Sequence, residues 1–231
     1  LPKDFEKVAA DYVDLIKRAQ PSGPYFLLGW CAIGTLAFEI ARQMKAQGES
    51  VNLVILDAWA PGHTQRMHPI KAFITNQYYR LLSLGIEFSR MLKGQQNFFS
   101  WFSHRRDIKR TQRLTSTLPD NWFHNPQSTS NERSSHLRRY GQWLFAYLER
   151  LMNGYVPKHY PGDIHLLRCQ HAPQSRFLSD NFGWKAYADE VYVTSIEGDH
   201  WSMLKGDGAG QIADYIATLI NARQPQKKDV T

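Results

Sequence analysis

The chain has 231 residues, of which 42% are hydrophobic and 21% charged, and its formal net charge is +7. These values are typical of a globular protein and exclude a fully disordered chain. No apolar run approaches the roughly 18 residues of a membrane-spanning helix, and no basic-then-apolar leader follows Leu1. Because the chain begins without a Met, we expect it to be a piece of a longer protein or a processed form.

The two flanks of the chain alternate helix and strand. Apolar residues at helical spacing predict helices at 4–18, 35–47 and 209–222. Short apolar runs predict buried strands at 25–28, 51–56, 164–168 and 191–196. This alternation predicts an α/β fold, in which a mostly parallel sheet carries helices on both faces. The polar tail at 223–231 is expected to be flexible.

The middle of the chain differs in both charge and pattern. Residues 66–158, the basic middle segment, contain 15 Lys and Arg against 5 Asp and Glu, a net charge of +10 that leaves −3 for the flanks. Helical patterns at 70–92 and 136–152 enclose a polar stretch at 116–135. We therefore predict one domain over residues 1–231 with a helical lid inserted at about 63–159.

The two cysteines, Cys31 and Cys169, have neither metal-ligand spacing nor the pattern of a disulfide framework. A reducing, cytoplasmic compartment is therefore expected, and no metal site is predicted.

The segment from Gly29 to Thr35 joins a predicted buried strand to a predicted helix, and Cys31 lies at the junction. This is the setting of a nucleophile elbow, in which a Ser or Cys is held on a strained turn at a helix N-terminus. Gly29 supplies the small neighbour that the close approach of strand and helix requires, but Ile33 stands where a second Gly is usual. The backbone N–H of Ala32 is then a candidate oxyanion donor.

The segment from Gly29 to Thr35 has two other interpretations, a buried structural Cys and a phosphate-binding loop. A single Cys is most often a small buried hydrophobic residue, and only the strand–Gly-x-Cys–helix setting favours a nucleophile over that role. The spacing of Gly29, Gly34 and Thr35 also resembles a phosphate-binding loop. The Lys that such a loop carries before its Thr is missing, so we reject that interpretation.

Asp57 and His200 complete a candidate triad with Cys31. Asp57 follows the second predicted strand and His200 follows the last one. The carboxyl ends of parallel strands meet at one edge of a sheet, where such folds place their sites. The order Cys31, Asp57, His200 is that of nucleophile, acid and base in hydrolases of this architecture. We expect His200 to take the thiol proton and Asp57 to orient its ring, although Asp57 could merely cap the following turn.

Several motifs resemble the thioesterase domain that ends nonribosomal peptide and polyketide synthetases. They lie in both flanks, whereas the basic middle segment matches only as a helical lid. The motifs are Gln20-Pro21-x-Gly23-Pro24-Tyr25-x-Leu27-x-Gly29-Trp30-Cys31, Ala37-Phe38-Glu39-Ile40-Ala41-Arg42-Gln43, Leu56-Asp57, Tyr155-x-Pro157-x-x-Tyr160-Pro161-Gly162-Asp163-Ile164 and Gly198-Asp199-His200-Trp201-Ser202-Met203-Leu204.

The resemblance implies an α/β-hydrolase fold and an acyl chain delivered on the phosphopantetheine arm of a carrier protein domain in the same polypeptide. The chain would pass to Cys31 and leave by hydrolysis, cyclisation or transfer to an amine. No cofactor is implied beyond the arm that carries the substrate. The family usually has Ser in place of Cys31. Its N-terminal strands and its His-Pro-x-Gly-Gly loop, which provides a second oxyanion donor, have no counterpart after Leu1.

Two alternatives belong to other functional classes. An enzyme resembling dienelactone hydrolase would use Cys, His and a late acidic residue, for which Asp180 and Asp189 are candidates, on free small esters or lactones. A non-enzymatic adaptor would bind nucleic acid through the basic middle segment, with steep salt dependence. The thioesterase interpretation expects no nucleic acid and no membrane partner.

Overall fold

The computed structural model describes residues 4–62, 155–170 and 179–223, together with separate positions between 70 and 94 and between 141 and 154. The helices and strands, in chain order, are α1 (Phe5–Ala19), β1 (Tyr25–Trp30), α2 (Ala32–Ala46), β2 (Val51–Leu56), β3 (Tyr160–Cys169), β4 (Ala188–Ile196) and α3 (Gly206–Arg223). One-turn 3-10 helices lie at Trp184–Ala186 and Ser202–Leu204.

All four predicted strands and the three helices of the flanks are present, so the predicted α/β fold is confirmed. The largest difference is in β3, which begins at Tyr160 rather than at Ile164. Its first residues pair with β4, since Tyr160 lies opposite Ala188 and Asp163 opposite Glu190. An irregularity between Tyr160 and Asp163 lets the strand pass a Pro-Gly pair that a regular ladder would not accept.

The four strands form one parallel sheet in the order β1-β2-β3-β4. Trp30 lies opposite Leu56, and Leu56 lies opposite Leu167. Cys169 lies opposite Ile196, the last residue of β4. The residues that follow the strands therefore meet at one edge, and this register positions the candidate site.

Helices cover both faces of the sheet. In β2, which is buried throughout, Ile55 lies against the start of α2, where a Cβ on Gly34 would be 3.1 Å from its side chain. Its neighbours Val54 and Leu56 pack on the opposite face in a cluster with Ile212 of α3. Successive strand residues point to opposite faces, so one strand contributes to two cores.

The chain divides into two compact units. One consists of Leu1–Lys7 and Thr64–Val156, and the other of Val8–His63 and Pro157–Thr231. The sheet belongs entirely to the second unit. The positions described between 70 and 92 and between 141 and 152 are helical, as the pattern there predicts. The polar stretch at 116–135 and the tail at 224–231 lie outside the described residues, and the single domain with a lid stays a prediction. None of the described helices has the length and apolarity needed to cross a membrane.

Candidate active site

Cys31 lies on a strained turn between β1 and α2. Its backbone has φ 55° and ψ −136°, in a region that residues other than Gly rarely adopt. Hydrogen bonds hold this conformation: the Cys31 N–H donates to the Leu56 carbonyl at 3.0 Å, and the Gly34 N–H donates to the Cys31 carbonyl at 2.9 Å. The side chain is partly exposed and is not in a disulfide. This is the backbone geometry of a nucleophile elbow.

The close approach of strand and helix at the elbow depends on two glycines. A Cβ added to Gly29 would lie 2.6 Å from the Gly34 Cα and 2.8 Å from the Ala37 Cβ. Gly34 therefore provides the clearance, and the departure at Ile33 is accommodated because that side chain is 42% exposed. Because α2 begins at Ala32, the N–H of this residue is among those that a helix leaves unsatisfied at its start.

Asp57 follows β2 directly and also has a left-handed backbone, with φ 46°. Its N–H donates to the Leu167 carbonyl at 2.8 Å. The loop that it begins is tied to the segment after β3, since the Trp184 indole N–H donates to the Ala58 carbonyl at 2.8 Å. These bonds fix the backbone from which the Asp57 carboxylate extends.

His200 lies in a short loop between β4 and the 3-10 helix Ser202–Leu204. Asp199 stabilises the loop, because its Oδ1 accepts the N–H groups of Trp201 and Ser202, both at 2.9 Å. The Asp199 N–H in turn donates to the Ser202 hydroxyl at 2.8 Å. The loop thus presents His200 at the same sheet edge as Cys31 and Asp57.

The structure brings the three sequence-predicted side chains together. His200 Nδ1 lies 2.6 Å from Asp57 Oδ2, and the Asp57 side chain is only 9% exposed. The Cys31 side chain is the second group that raises the pKa of His200, and it therefore lies close to the ring. Since Nδ1 faces the carboxylate, Nε2 is the ring nitrogen left for the sulfur. The arrangement can move a proton between a thiol and an imidazole oriented by an anion.

The electrostatics of the cluster favour a protonated imidazole. Burial lowers the pKa of His200, but its interactions with Asp57 and Cys31 raise the pKa by more than burial lowers it. The resulting pKa is about 9. Such a ring can accept the thiol proton and hold it until a leaving group requires it.

The carboxylates of the alternative triad have other partners. Asp180 lies 3.1 Å from the Arg168 guanidinium, and its side chain is 94% exposed. Asp189 lies 3.3 Å from His159 Nε2. The carboxylate bonded to His200 is that of Asp57, so the geometry opposes the lactone-hydrolase assignment.

Sequence reasoning missed three side chains that contact the cluster. The Trp30 ring stacks on His200 at a centroid distance of 4.9 Å, and Trp201 lies edge-on to His200 at 5.5 Å. Cys169 donates its thiol and its backbone N–H to Asp57. Each tryptophan is adjacent in sequence to a predicted triad residue, so its contact with the cluster could have been predicted. No local sequence feature indicates that Cys169 contacts Asp57. Among the described residues, no group of three or more His, Cys, Asp or Glu could hold a metal ion.

Comparison with protein families gives a thioesterase domain model that matches residues 1–82. A dimodular nonribosomal peptide synthase of Bacillus subtilis (strain 168) is 48% identical over 226 residues, which are 95% of this chain and 8% of that protein. A non-reducing polyketide synthase of Nectria sp is 28% identical over 222 residues, which are 94% of this chain and 10% of that protein. The chain therefore spans a tenth or less of the length of these relatives.

Solved thioesterase domains share the fold. The NocB thioesterase domain in covalent complex with a fluorophosphonate nocardicin G analog superposes with a TM-score of 0.54 at 20% identity, covering 94% of this chain and 74% of that one. The surfactin thioesterase domain superposes with a TM-score of 0.53 at 18% identity, covering 97% and 78%. These identities show the fold alone. In sequence, the family model over residues 1–82 and the Bacillus relative, which is similar along nearly the whole chain, make this chain similar to the thioesterase domains of nonribosomal peptide and polyketide synthases.

Proposed function

We propose that this domain releases an acyl or peptidyl chain from the phosphopantetheine thioester of a carrier protein, with Cys31 as the covalent nucleophile. The observation that carries the proposal is the convergence of Cys31, His200 and Asp57 at one sheet edge: Cys31 lies on a strained elbow, and His200 Nδ1 is 2.6 Å from the Asp57 carboxylate that would orient it. The chemistry needs no resident cofactor, because the phosphopantetheine arm arrives as part of the substrate.

Acyl transfer to the enzyme begins when His200 takes the proton of the Cys31 thiol and the sulfur attacks the thioester carbonyl. The Ala32 N–H, at the positive end of α2, donates a hydrogen bond to the developing oxyanion. When the tetrahedral intermediate collapses, the bond to the carrier sulfur breaks and that sulfur receives the proton from His200. One thioester is thereby replaced by another, with no net change in protons.

Release follows when a nucleophile attacks the Cys31 thioester. His200 takes a proton from water, a hydroxyl or an amine, and returns it to the departing Cys31 sulfur. Water yields the free acid, whereas an internal hydroxyl or amine yields a ring. The Cys31 thioester keeps the reactivity toward amines that the oxoester of a Ser enzyme would lose. A free thiol at the elbow also fits the reducing cytoplasm, in which we place the protein.

The carrier protein is proposed as the partner, in the same polypeptide, and the basic middle segment as its docking surface. Its net charge of +10 complements an acidic carrier and the phosphate of the arm. The strongest cluster, Arg105, Arg106, Lys109, Arg110 and Arg113, lies outside the described residues. Reversing the charges of Arg105, Arg106 and Arg110 should slow loading from a carrier but spare a short pantetheine donor. An equal effect on both donors would count against docking.

Mass spectrometry of the intact protein tests the proposed function. An acyl-pantetheine donor should add one acyl mass to Cys31, located by peptide mapping. Cys31→Ala should lose the adduct and reduce turnover by several orders of magnitude. Cys169→Ala is the comparison variant for adduct formation alone: it should keep the adduct on Cys31, because Cys169 is buried and should not be acylated. An adduct elsewhere, or unchanged turnover in Cys31→Ala, would contradict the assignment.

A further inference from the structure

The second cysteine of the chain contacts the acid of the proposed triad with two different groups. Cys169 is the last residue of β3, and its side chain is buried. Its Sγ donates to Asp57 Oδ2 at 3.2 Å, and its backbone N–H donates to Asp57 Oδ1 at 3.2 Å. One residue thereby contacts both carboxylate oxygens.

The thiol shares an acceptor with the catalytic base. Asp57 Oδ2 receives both the Cys169 thiol and His200 Nδ1, the latter at 2.6 Å. We propose that Cys169 is a positioning residue for the proposed reaction, holding the Asp57 carboxylate toward His200 and limiting the strength of its bond to the imidazolium. This inference rests on the proposed function, in which Asp57 supports His200.

The environment keeps the Cys169 thiol protonated. Burial raises the pKa of this thiol far above its usual value, and the nearby Asp57 and Asp199 charges raise it further. It therefore remains an S–H donor throughout the working pH range and does not compete with Cys31 as a nucleophile. Two thiols at one sheet edge thus have opposite roles, decided by their surroundings.

The effect on His200 follows from the shared oxygen. A donor to a carboxylate stabilises its charge and makes it a weaker partner for the imidazolium proton. The charged and titratable groups around the pair are Cys31 after β1, Cys169 at the end of β3, and Asp199 beside His200. Loss of the Cys169 thiol should therefore raise the pKa of His200, whereas a replacement that keeps a donor should not.

The experiment compares Cys169→Ala and Cys169→Ser with the unaltered domain, and follows the His200 titration by NMR of labelled histidine. Cys169→Ala should raise the pKa of His200 by about half a unit and lower kcat/KM about fivefold, with the His200 limb of the pH–rate profile moving to higher pH. Cys169→Ser should return the pKa to the original value or below it. Ile196→Val, which changes a neighbouring core residue without a polar group, should lower stability but leave the pKa unchanged.

An unchanged His200 pKa in Cys169→Ala, or the same change in Cys169→Ser and Cys169→Ala, would overturn the proposal. If neither variant folds, infrared spectroscopy tests the hydrogen bond between Cys169 and Asp57 without replacing Cys169. In Cys31→Ser, where Cys169 is the remaining thiol, the S–H stretch should lie below that of a free thiol and return upward on adding Asp57→Asn. A band already at the free-thiol position would reject the bond. The NMR and infrared measurements need no turnover, so they separate this inference from the proposed function.

Discussion

The replacement Asp57→Asn removes the charge of one of the two groups, Asp57 and Cys31, that raise the pKa of His200. The folded protein holds the imidazole proton up to a pH of about 9, whereas an ordinary His releases it near 6.5. The stabilisation of the imidazolium by Asp57 and Cys31 together is therefore complete below pH 6.5 and is lost as the pH rises to about 9. The difference corresponds to about 3 kcal/mol. We reduce it to about 2 kcal/mol because the His200 side chain is 30% exposed, which allows water to screen the pair.

The unaltered domain should thus lose about 2 kcal/mol of unfolding free energy between pH 6 and pH 9, and Asp57→Asn should lose much less over the same interval. Urea unfolding at pH 6 and pH 9 measures this loss of unfolding free energy in the unaltered domain and in Asp57→Asn. Turnover should fall about 100-fold or more, because the asparagine amide favours the wrong imidazole tautomer. Asp180→Asn is the matched control, since its exposed carboxylate contacts Arg168 and not His200. If Asp57→Asn kept the original pH dependence and turnover, or if Asp180→Asn were the damaging change, the triad assignment would be wrong.

Three further outcomes are expected. Cys31→Ser, given the native acyl chain, should shift products toward free acid because an oxoester is a poorer acyl donor to amines; an unchanged product ratio at comparable loading would show that the pocket decides. Trp30→Leu should lower the pKa of His200 by about half a unit in an NMR titration, because the imidazolium loses an aromatic face, and an unmoved pKa would refute this. Gly29→Ala should destabilise by about 3 kcal/mol in urea unfolding, whereas Gly210→Ala, which meets no atom within 4 Å, should be neutral or stabilising. Equal stabilities would remove the steric argument at the elbow.

Local sequence was sufficient for the elements and for the three side chains that meet. Apolar periodicity marks each strand and helix of the sheet unit, because burial on one or both faces imposes it. The polar residues Cys31, Asp57 and His200 stand directly after strands or in the loop beyond, where a parallel sheet gathers them. Their meeting at one sheet edge therefore follows from the parallel direction of the strands, which the pattern predicted, and from the strand order, which only the structure gives.

Strand register and packing decided the remaining contacts of the site, because these contacts depend on partners distant in sequence. Cys169 reaches Asp57 only because Leu56 pairs with Leu167. No local sequence motif predicts that pairing. The clearance at the elbow comes from Gly34 rather than from position 33, which becomes evident only when Gly29 faces it across the turn. Sequence alone determined which side chains could perform the chemistry. The tertiary structure decided which neighbours hold and tune them, since hydrogen bonds and ring contacts act over a few ångströms whatever the separation along the chain.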